Sequence, residues 1–403
     1  MTVKITPSCA KGQVSAPFSK SMGHRLLICA AMAEGKSTVH GISESADLKA
    51  TLACLQALGV KCVLDGETAT VFGIDIKKAA PSEPLFCNES GSTLRFFIPL
   101  ALLSGNNVFF QGEKSLFRRP MTVYEQLCRE RGLLFSTDNQ SAVVKGPLTA
   151  GEYRVAGNIS SQFISGLLFA LPLLKEDSVI RITPPLESRS YIALTIAALA
   201  KFGVNVIWQD DFTLCIPGNQ KYLPADVSVE GDYSGAAFLE ALNVFEGEIT
   251  VDGLVPDSLQ GDRVYLRFFP MLARGTPTIH IGDCPDLGPI LFAVAAAKFG
   301  AVFTGTSRLR LKESDRIATM AEELAKFGVT VTSEGDTTVV YPTDFHAPKT
   351  TLCGHGDHRI VMALAILATL TGGVIEGSEA VAKSFPDFFD KLSSVGIVLE
   401  KQE

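Results

Sequence analysis

The sequence has few of the features that mark membrane, secreted or nucleic-acid-binding proteins. Its apolar segments, such as residues 98–103 and 360–370, stop well short of the roughly 20 residues that cross a bilayer. The first residues, MTVKITPSCAKG, alternate as a strand does and contain no apolar stretch typical of a secretory signal. Lys and Arg, 36 in total, are outnumbered by 43 Asp and Glu residues, which argues against a broad basic face for nucleic acid. We therefore expect a cytoplasmic protein that binds neither membranes nor nucleic acid.

Paired cysteines are absent as well. The nine cysteines form an odd number and include no Cys-x-x-Cys pair, so we expect free thiols.

The segment CGHGDHR brings together Cys353, His355, Asp357 and His358, all of residue types that ligate metals. A zinc site needs paired ligands at recurring spacings, and the sequence offers no partner pair. We therefore predict no metal site.

The length and an internal repeat predict two similar domains. A chain of 403 residues exceeds one ordinary hydrophobic core and fits two domains of about 200 residues each. A helix rich in Ala and Leu that leads into a β-branched strand, as in AAMAEGKSTVHGI and AAAKFGAVFTGTS, recurs six times. Amphipathic helices followed by strand hairpins lie between these segments. The pattern predicts an α/β fold with three repeats per domain, one domain at 17–228 and the other at 229–403 joined by the first strand within residues 1–16.

Basic residues occupy positions where helix electrostatics favour acids. Five predicted helix starts carry a cation, although the net charge is −7: Lys20, Arg119, Arg316, Arg359 and Lys383. The first turn of a helix is equivalent to about half a positive charge, so a cation there costs about 0.3–1 kcal/mol. A focused cationic site on an acidic chain indicates a small, multiply charged anion as ligand.

Two motifs in the first half have the composition of anion sites. In PFSKSMGHR, Ser19 is a predicted N-cap, and Lys20, Ser21 and Arg25 share the start of one helix. A capped helix with two solvated bases is the alternative reading. In FRRPM, Pro120 suits the first helical position, which places Arg119 just outside the helix.

Further polar groups are predicted at two other helix starts of the first half. CNESGSTLRFF places Gly91 in a turn where backbone can approach a ligand closely. GNISSQF offers Ser160, Ser161 and Gln162, of which a simple cap explains at least one serine.

In the second half, RLRLKESDRIATMAEELAKFG holds the densest set of charges. We predict a helix from a Ser314 cap to Phe327, with Lys312 and Glu313 before it and Arg316 in its first turn. A surface ion-pair cluster is the alternative, but two cations around one carboxylate also tune a proton donor or base.

Three other segments of the second half carry candidate site residues at predicted helix starts. Asp286 lies before an apolar helix, where an N-cap is the competing interpretation, and Asp357 is a predicted cap that leaves His358 and Arg359 in a first turn. Lys383 precedes a helix whose first position suits Pro386.

Taken together, these motifs resemble the 5-enolpyruvylshikimate-3-phosphate synthase family over nearly the whole chain. KSMGHR, ESGSTLR, RRP, GNISSQF, SRSY, EGDYSGAAF, PD, LKESDR, DHR and AKSFPDFF occur in the family's order. The resemblance implies a two-domain inside-out α/β barrel of six βαβαββ repeats, a hinge, and a monomer. It also implies transfer of the enolpyruvyl group of phosphoenolpyruvate to the 5-hydroxyl of shikimate 3-phosphate, with release of phosphate, in chorismate and aromatic amino-acid biosynthesis. Neither a metal nor an organic cofactor is expected.

The resemblance also implies roles for individual residues. The implied shikimate 3-phosphate site is Lys20, Ser21, Arg25, Ser160, Ser161, Gln162, Ser188, Tyr191, Asp286, Arg308 and Lys312. The implied phosphoenolpyruvate site is Lys20, Gly91, Arg119, Gln162, Arg316, His358, Arg359 and Lys383. Asp286 is the implied proton acceptor for the 5-hydroxyl and Glu313 the donor to the methylene carbon, a role that Lys20 and His358 can share.

Two residues depart from the family's usual pattern. Glu89 stands where Asn is usual before the phosphoenolpyruvate loop, and Arg308 stands where Asn is usual near the substrate. Gly91 is the residue that glyphosate-sensitive members carry, so we expect glyphosate to compete with phosphoenolpyruvate. The nearest alternative, UDP-N-acetylglucosamine 1-carboxyvinyltransferase, usually has Cys at the position of Lys114 and Asn at that of Ser21, so both residues favour shikimate 3-phosphate.

Overall fold

Helices and short strands alternate along residues 1–402, which are the residues that the computed structural model describes. The strands are β1 (Thr2–Ile5), β2 (Lys11–Ser15), β3 (Gly35–His40), β4 (Lys61–Asp65), β5 (Thr68–Gly73), β6 (Leu85–Phe86), β7 (Asn107–Gln111), β8 (Leu134–Thr137), β9 (Ser141–Lys145), β10 (Glu152–Ala156), β11 (Ser178–Thr183), β12 (Ile207–Asp210), β13 (Thr213–Ile216), β14 (Asp226–Ser228), β15 (Glu248–Asp252), β16 (Thr278–His280), β17 (Ala301–Thr304), β18 (Val331–Glu334), β19 (Thr337–Val340), β20 (Leu352–Cys353), β21 (Gly373–Glu376) and β22 (Leu399–Gln402).

The α-helices are α1 (Lys20–Met32), α2 (Ala46–Ala57), α3 (Gly91–Ala101), α4 (Lys114–Phe117), α5 (Thr122–Glu130), α6 (Ser161–Ala170), α7 (Arg189–Lys201), α8 (Tyr233–Val244), α9 (Tyr265–Leu272), α10 (Gly288–Ala297), α11 (Arg316–Ala325), α12 (His358–Thr371) and α13 (Phe388–Ser394). Short 3₁₀ turns lie at Ile76–Lys78, Leu171–Leu173, Gly261–Val264, Pro285–Leu287, Ser307–Leu311 and Ser378–Lys383. No helix within residues 1–402 is both long and apolar enough to span a membrane.

The chain divides into two units, which are named here by their continuity in sequence. The continuous unit is Lys20–Glu230, and the discontinuous unit joins Met1–Ser19 to the chain from Gly231 onward.

Three four-stranded sheets of one design build the continuous unit. Their strand orders are β14-β3-β5-β4, β6-β7-β9-β8 and β10-β11-β13-β12. In each sheet the first two strands run parallel and the remaining neighbours run antiparallel, as for β6, β7, β9 and β8. A parallel pair requires a crossover, which α3 and α6 supply, and the antiparallel strands close as hairpins. The predicted βαβαββ repeat is therefore present in this unit.

Two of the three sheets of the discontinuous unit repeat this design, and the chain start supplies the strands β1 and β2. Its sheets are β16-β17-β19-β18, β20-β21-β1-β22 and the parallel pair β15-β2. Strand β1 pairs antiparallel with β21 and β22, with Val3 opposite Ile375 and Lys401. The first residues of the chain are thus fixed in a sheet with its last strand.

Helices that are buried on every side form the interior of the discontinuous unit. In α10, Gly288 to Ala296 are all buried, and in α12 the residues from His358 to Thr369 are buried. A helix without a polar face has to be enclosed by other elements. By contrast, α11 buries one face only, at Arg316, Ile317, Met320, Glu323 and Leu324.

Four predicted boundaries, which belong to three helices, are wrong. Helix α11 is capped by Asp315, not Ser314, because the Asp315 carboxylate accepts the N–H groups of Ile317 and Ala318, and α11 ends at Ala325. A carboxylate also suits the positive end of the helix better than a hydroxyl. Helix α5 begins at Thr122, two residues after Pro120, and α13 at Phe388, two residues after Pro386. Arg119 and Lys383 therefore do not occupy helix starts.

Candidate active site

In the continuous unit, α1 begins at Lys20 and has no acidic residue in its first turn. The Lys20 Nζ lies 2.8 Å from Asp47 Oδ2, and their side chains are only 14% and 7% exposed. Asp47 belongs to the first turn of α2 and was not among the predicted site residues. The partly enclosed ammonium group is thus held in place by one carboxylate and keeps access to an anion.

Arg25, about one turn further along α1, contacts two of the other predicted residues. Its guanidinium donates to the carbonyl of Ser21 at 2.6 Å and of Tyr191 at 3.0 Å, and to Thr195 Oγ1 at 2.8 Å. It also lies 5.1 Å from the centre of the Phe96 ring. Burial lowers the pKa of Arg25 to about 10, so the group still carries its charge at neutral pH. Ser21, Arg25 and Tyr191 therefore lie together.

The start of α7 places Ser188 near this group. Ser188 is the residue before the helix, is 1% exposed and has a φ of 57°, a left-handed conformation that few non-glycine residues adopt. Its hydroxyl is thus held at a helix N-terminus three residues before Tyr191.

A second group of predicted residues surrounds Gly91 at the start of α3. A Cβ placed on Gly91 would lie 2.9 Å from an Arg119 nitrogen and 3.6 Å from Gln162 Oε1. Arg95, which sequence reasoning missed, donates to that Gln162 oxygen at 2.6 Å. Gln162 in turn donates to Ser92 Oγ at 2.9 Å, which fixes the orientation of its amide. Gly91, Arg119 and Gln162 are therefore neighbours.

The start of α6 carries the two predicted serines. Ser160 is the N-cap and accepts the N–H of Gln162 at 3.3 Å, whereas Ser161 is the first helical residue and is buried. The cap therefore accounts for Ser160, and the Ser161 hydroxyl lies beside it.

Glu89, which departs from the family pattern, is held by a neighbouring hydroxyl. Ser115 Oγ donates to Glu89 Oε1 at 2.6 Å, an interaction between the loop before α3 and helix α4. A hydrogen bond from a hydroxyl delocalises part of the carboxylate charge, which reduces the repulsion expected toward an anionic ligand.

In the discontinuous unit, Asp286 is surrounded by three of the predicted cations. Its Oδ1 lies 3.0 Å from Lys312 Nζ and 3.1 Å from an Arg316 nitrogen, and its Oδ2 lies 3.0 Å from an Arg359 nitrogen. Burial disfavours the charged carboxylate, but Arg359, Lys312 and Arg316 outweigh burial and hold the pKa of Asp286 well below its usual range. Asp286 does not cap α10, since it lies inside the 3₁₀ turn Pro285–Leu287.

Arg316 connects this cluster to two further carboxylates. The side chain is 1% exposed and donates to Glu313 Oε2 at 2.9 Å and to Asp357 at 2.8 and 3.2 Å. Burial opposes the charge, but Asp357, Glu313 and Asp286 together raise the pKa of Arg316. Two of these carboxylates, Asp286 and Glu313, are the predicted acid–base residues.

The start of α12 supplies His358 and Arg359. Asp357 accepts the N–H of Arg359 at 3.0 Å, which confirms the predicted cap. Arg359 also donates to Ser234 Oγ at 2.6 Å, and His358 is 1% exposed at the first helical position. The two predicted residues are thus fixed by the first turn of one helix.

The remaining predicted residues of this unit, Arg308 and Lys383, are buried. Arg308 donates to the carbonyl of Gly282 at 3.3 Å, and its charge helps to lower the pKa of Lys312, although burial of Lys312 is the larger cause. Lys383 closes the 3₁₀ turn Ser378–Lys383 and is 8% exposed.

The residues considered as metal ligands do not form one cluster around Cys353. Asp357 is engaged by Arg316, whereas His355 Nε2 lies 2.9 Å from the buried Glu323. Among residues 1–402, Glu322, Glu323 and His355 are close enough for a shared ion, but Lys326 already contacts both Glu323 oxygens at 2.9 Å. The Glu323 charge is therefore balanced by an ammonium group.

A buried carboxyl that sequence reasoning missed, Asp262, lies near the cluster. Burial and the charge of Asp286 raise the pKa of Asp262 to about 7, although Arg359 opposes this shift. In the unfolded chain an Asp ionises near pH 4, so the native state loses stability as the pH rises from about 4 to about 7.

We expect Asp262→Asn to remove that loss, because an amide resembles the protonated carboxyl. The free energy of unfolding of the variant, measured by urea titration, should match wild type near pH 4 and exceed it above pH 7 by an amount on the order of a few kcal/mol. A difference in the free energy of unfolding that is the same at every pH would contradict the raised pKa of Asp262.

Comparison with known proteins identifies the family. A family model described as EPSP synthase (3-phosphoshikimate 1-carboxyvinyltransferase) matches residues 5–274 and 271–392. The chain is 39% identical over 421 residues to the 3-phosphoshikimate 1-carboxyvinyltransferase of Clostridium acetobutylicum, covering 98% of this chain and 97% of that protein. The corresponding protein of Clostridium perfringens strain 13 is 38% identical, with 99% of each chain covered.

Solved structures share the fold. EPSP synthase from Acinetobacter baumannii superposes with a TM-score of 0.81 over 100% of both chains at 24% identity, and the enolpyruvyl transferase NikO from Streptomyces tendae with 0.80 at 14% identity, covering 99% of this chain and 98% of NikO. These structures confirm the predicted fold class. The family model and the two clostridial relatives establish that the chain belongs to the EPSP synthase family.

Proposed function

We propose that this chain catalyses the transfer of the carboxyvinyl group of phosphoenolpyruvate to the 5-hydroxyl of shikimate 3-phosphate, with release of phosphate. The observation that carries the proposal is the near-complete match to relatives named for this activity, 39% identical over 98% of the chain. The residues implied by the motifs also form local clusters in each unit, which supports the proposal.

The residues of the continuous unit bind and orient the substrates. Arg25, Ser21 and Lys20 face the phosphate of shikimate 3-phosphate, with Ser160, Ser161, Gln162, Ser188 and Tyr191 as its other contacts. Arg119 and the Gly91 backbone receive phosphoenolpyruvate, because a planar guanidinium matches phosphate and carboxylate oxygens. Fixed side chains such as Gln162, held by Arg95 and Ser92, lower the entropic cost of orienting the reactants.

The residues of the discontinuous unit supply charge and proton transfer. In the free protein Lys312, Arg316 and Arg359 hold the Asp286 carboxylate ionised. When anionic substrate groups engage these cations, each interaction at 4 Å is worth about 4 kcal/mol at an effective dielectric near 20. Asp286 then shares its cations with the substrate, its pKa rises, and it accepts the proton of the 5-hydroxyl.

Glu313 is the corresponding proton donor. It lies 2.9 Å from an Arg316 nitrogen, so recruitment of Arg316 by phosphoenolpyruvate weakens this ion pair and favours protonation of the Glu313 carboxylate. A protonated Glu313 delivers its proton to the methylene carbon, with Lys20 and His358 able to share this role. His358, Arg359 and Lys383 complete the phosphoenolpyruvate contacts, and Arg308 is a further contact of shikimate 3-phosphate.

Preorganised charge and orientation provide the rate enhancement, without a metal or organic cofactor. We further propose that the protein is a cytoplasmic monomer of the shikimate pathway and binds no nucleic acid.

The acceptor specificity distinguishes this function from its alternative, UDP-N-acetylglucosamine 1-carboxyvinyl transfer. The purified protein is incubated with phosphoenolpyruvate and each acceptor in turn, and inorganic phosphate is measured. We expect release with shikimate 3-phosphate only. Release with UDP-N-acetylglucosamine alone would replace the proposal with the alternative.

Gly91→Ala tests the phosphoenolpyruvate side of the site. The added Cβ would lie 2.9 Å from Arg119, so the guanidinium has to shift away from its present position. We expect KM for phosphoenolpyruvate to rise about tenfold, equivalent to about 1.4 kcal/mol, with KM for shikimate 3-phosphate unchanged. Glyphosate should inhibit wild type in competition with phosphoenolpyruvate and inhibit the variant more weakly. Equal rises in both KM values would instead indicate a general disturbance of the unit.

A further inference from the structure

Four buried polar side chains form a chain of hydrogen bonds between the starts of α1 and α3. His24 Nδ1 lies 2.7 Å from Thr51 Oγ1, which lies 2.8 Å from Thr93 Oγ1. Thr93 Oγ1 lies 2.7 Å from Ser90 Oγ, and all four side chains are 0% exposed. None of them is used in the proposed reaction. Three successive hydrogen bonds link these side chains, and only His24 Nε2 at the end of the chain is buried without a partner. Such a buried network restricts the local geometry.

The direction of this chain is fixed by the number of hydrogens available. Thr93 Oγ1 donates to Ser90 Oγ, and a hydroxyl has one hydrogen, so Thr93 accepts from Thr51. Thr51 has then donated its hydrogen and accepts from His24. His24 therefore carries its proton on Nδ1. Burial, with the charges of Lys20 and Arg25, holds the pKa of His24 well below its usual value, so the imidazole stays neutral.

The two ends of the chain lie beside groups that bind different substrates in the proposed function. His24 precedes Arg25 and lies about one helical turn after Lys20 on α1. Ser90 caps α3 by accepting the N–H of Thr93 at 3.2 Å, and Gly91 follows it. The N-cap hydrogen bond sets the backbone of the Ser90–Gly91 turn, which lies against Arg119 and Gln162.

We propose that His24 is a positioning residue that acts through Thr51 and Thr93 to hold the Ser90–Gly91 turn in the geometry that binds phosphoenolpyruvate. This inference rests on the proposed function. His24 also packs edge-on against Phe96 at 6.4 Å, so a role in packing alone is the competing explanation. The two explanations differ in whether a donor at the Nδ1 position matters.

Three variants separate these explanations. His24→Asn places an amide N–H where Nδ1 stands, whereas His24→Leu keeps apolar volume but has no donor. Thr51→Val removes the middle hydroxyl and preserves shape. Loss of one buried hydrogen bond corresponds to about a tenfold change. We expect His24→Leu and Thr51→Val to raise KM for phosphoenolpyruvate about five- to tenfold, with kcat and KM for shikimate 3-phosphate within about twofold of wild type, and His24→Asn to remain close to wild type.

The outcomes are distinct. Equal behaviour of His24→Asn and His24→Leu, or parallel rises in both KM values, would overturn the positioning role. If His24→Leu does not fold, Thr51→Val alone decides, because it leaves the His24–Phe96 contact intact. Wild type that releases no phosphate with shikimate 3-phosphate would refute the proposed function and, with it, the role of His24 in phosphoenolpyruvate binding. If wild type is active and the variants behave alike, only the positioning role is refuted.

A spectroscopic measurement tests the hydrogen-bond direction without any assay of activity. Long-range ¹H–¹⁵N correlation spectra of the full chain between pH 6 and 8 report which ring nitrogen of His24 carries the proton. We expect the neutral Nδ1–H form throughout this range. The His24 signal is assigned by its absence from the spectrum of His24→Asn. A protonated ring or an Nε2–H form would overturn the proposed chain.

Discussion

Asp286→Asn should lower kcat by about 10²- to 10⁴-fold, the range typical for loss of a general base. The amide nearly preserves the shape of the carboxylate but cannot accept the proton of the 5-hydroxyl. It also leaves Lys312, Arg316 and Arg359 without the anion that now lies about 3 Å from each of them. KM for phosphoenolpyruvate should therefore not rise, because three cations become more available to an anionic substrate.

Steady-state kinetics with both substrates varied measure the effect, and Asp283→Asn is the matched control. Asp283 is an exposed carboxylate three residues earlier in the same loop, and we expect its variant to keep wild-type kcat within about twofold. A thermal unfolding curve of Asp286→Asn shows whether the fold survives the change in charge. Turnover near the wild-type rate in a folded Asp286→Asn protein would reduce Asp286 to a structural partner of the three cations.

The repeating architecture could be predicted from the sequence because it depends on local patterns. Helix periodicity followed by strand alternation is a property of neighbouring residues, and helices such as α10 and α12 are apolar on every side. The exact first residues of the helices could be predicted less well from the sequence. Proline restricts its own φ and removes a donor, but Pro120 and Pro386 both precede their helices by two residues, since proline is also compatible with the preceding turn.

The candidate residues could be named from ordered motifs, but their partners could not. Lys20 pairs with Asp47, Gln162 with Arg95 and Arg316 with Asp357, contacts that join residues 27, 67 and 41 positions apart. No local period encodes such pairs, because they depend on how separate helices pack together.

Two carboxylates also show that the local sequence does not predict electrostatic behaviour. Asp262 has no distinctive sequence context, and only burial near Asp286 reveals its raised pKa. Glu89 has a context that predicts repulsion of an anionic ligand, but Ser115 donates to it. In both cases the electrostatic behaviour is set by residues that the local sequence does not identify.

The second large effect is expected for Arg316→Leu, which should destabilise the fold by about 3–5 kcal/mol. Arg316 is 1% exposed and lies between three carboxylates, of which Asp357 is 0% exposed. Its removal leaves Asp357 charged, buried and without its main counterion. This uncompensated buried charge lowers the free energy of unfolding. Arg310→Leu is the matched control, because its ion pair with Asp315 is 3.4 Å long with both side chains 39% exposed. We expect that variant to lose only about 0–1 kcal/mol.

The pH dependence of the Arg316→Leu deficit separates an uncompensated charge from simple loss of packing. In wild type, burial opposes ionisation of Asp357, but Arg316 outweighs it and lowers the pKa, so this group stabilises the native state above about pH 4 and loses that contribution as the pH falls. Without Arg316, burial raises the pKa of Asp357. Protonation of Asp357 at lower pH then removes the buried charge and stabilises the variant, whereas in wild type protonation removes a favourable ion pair. Urea titrations at pH 8 and pH 4.5 should therefore show a smaller difference between the two proteins at the lower pH. If the difference is the same at both pH values, the Arg316 side chain stabilises the unit by filling space, and the buried charge of Asp357 is compensated by its other neighbours.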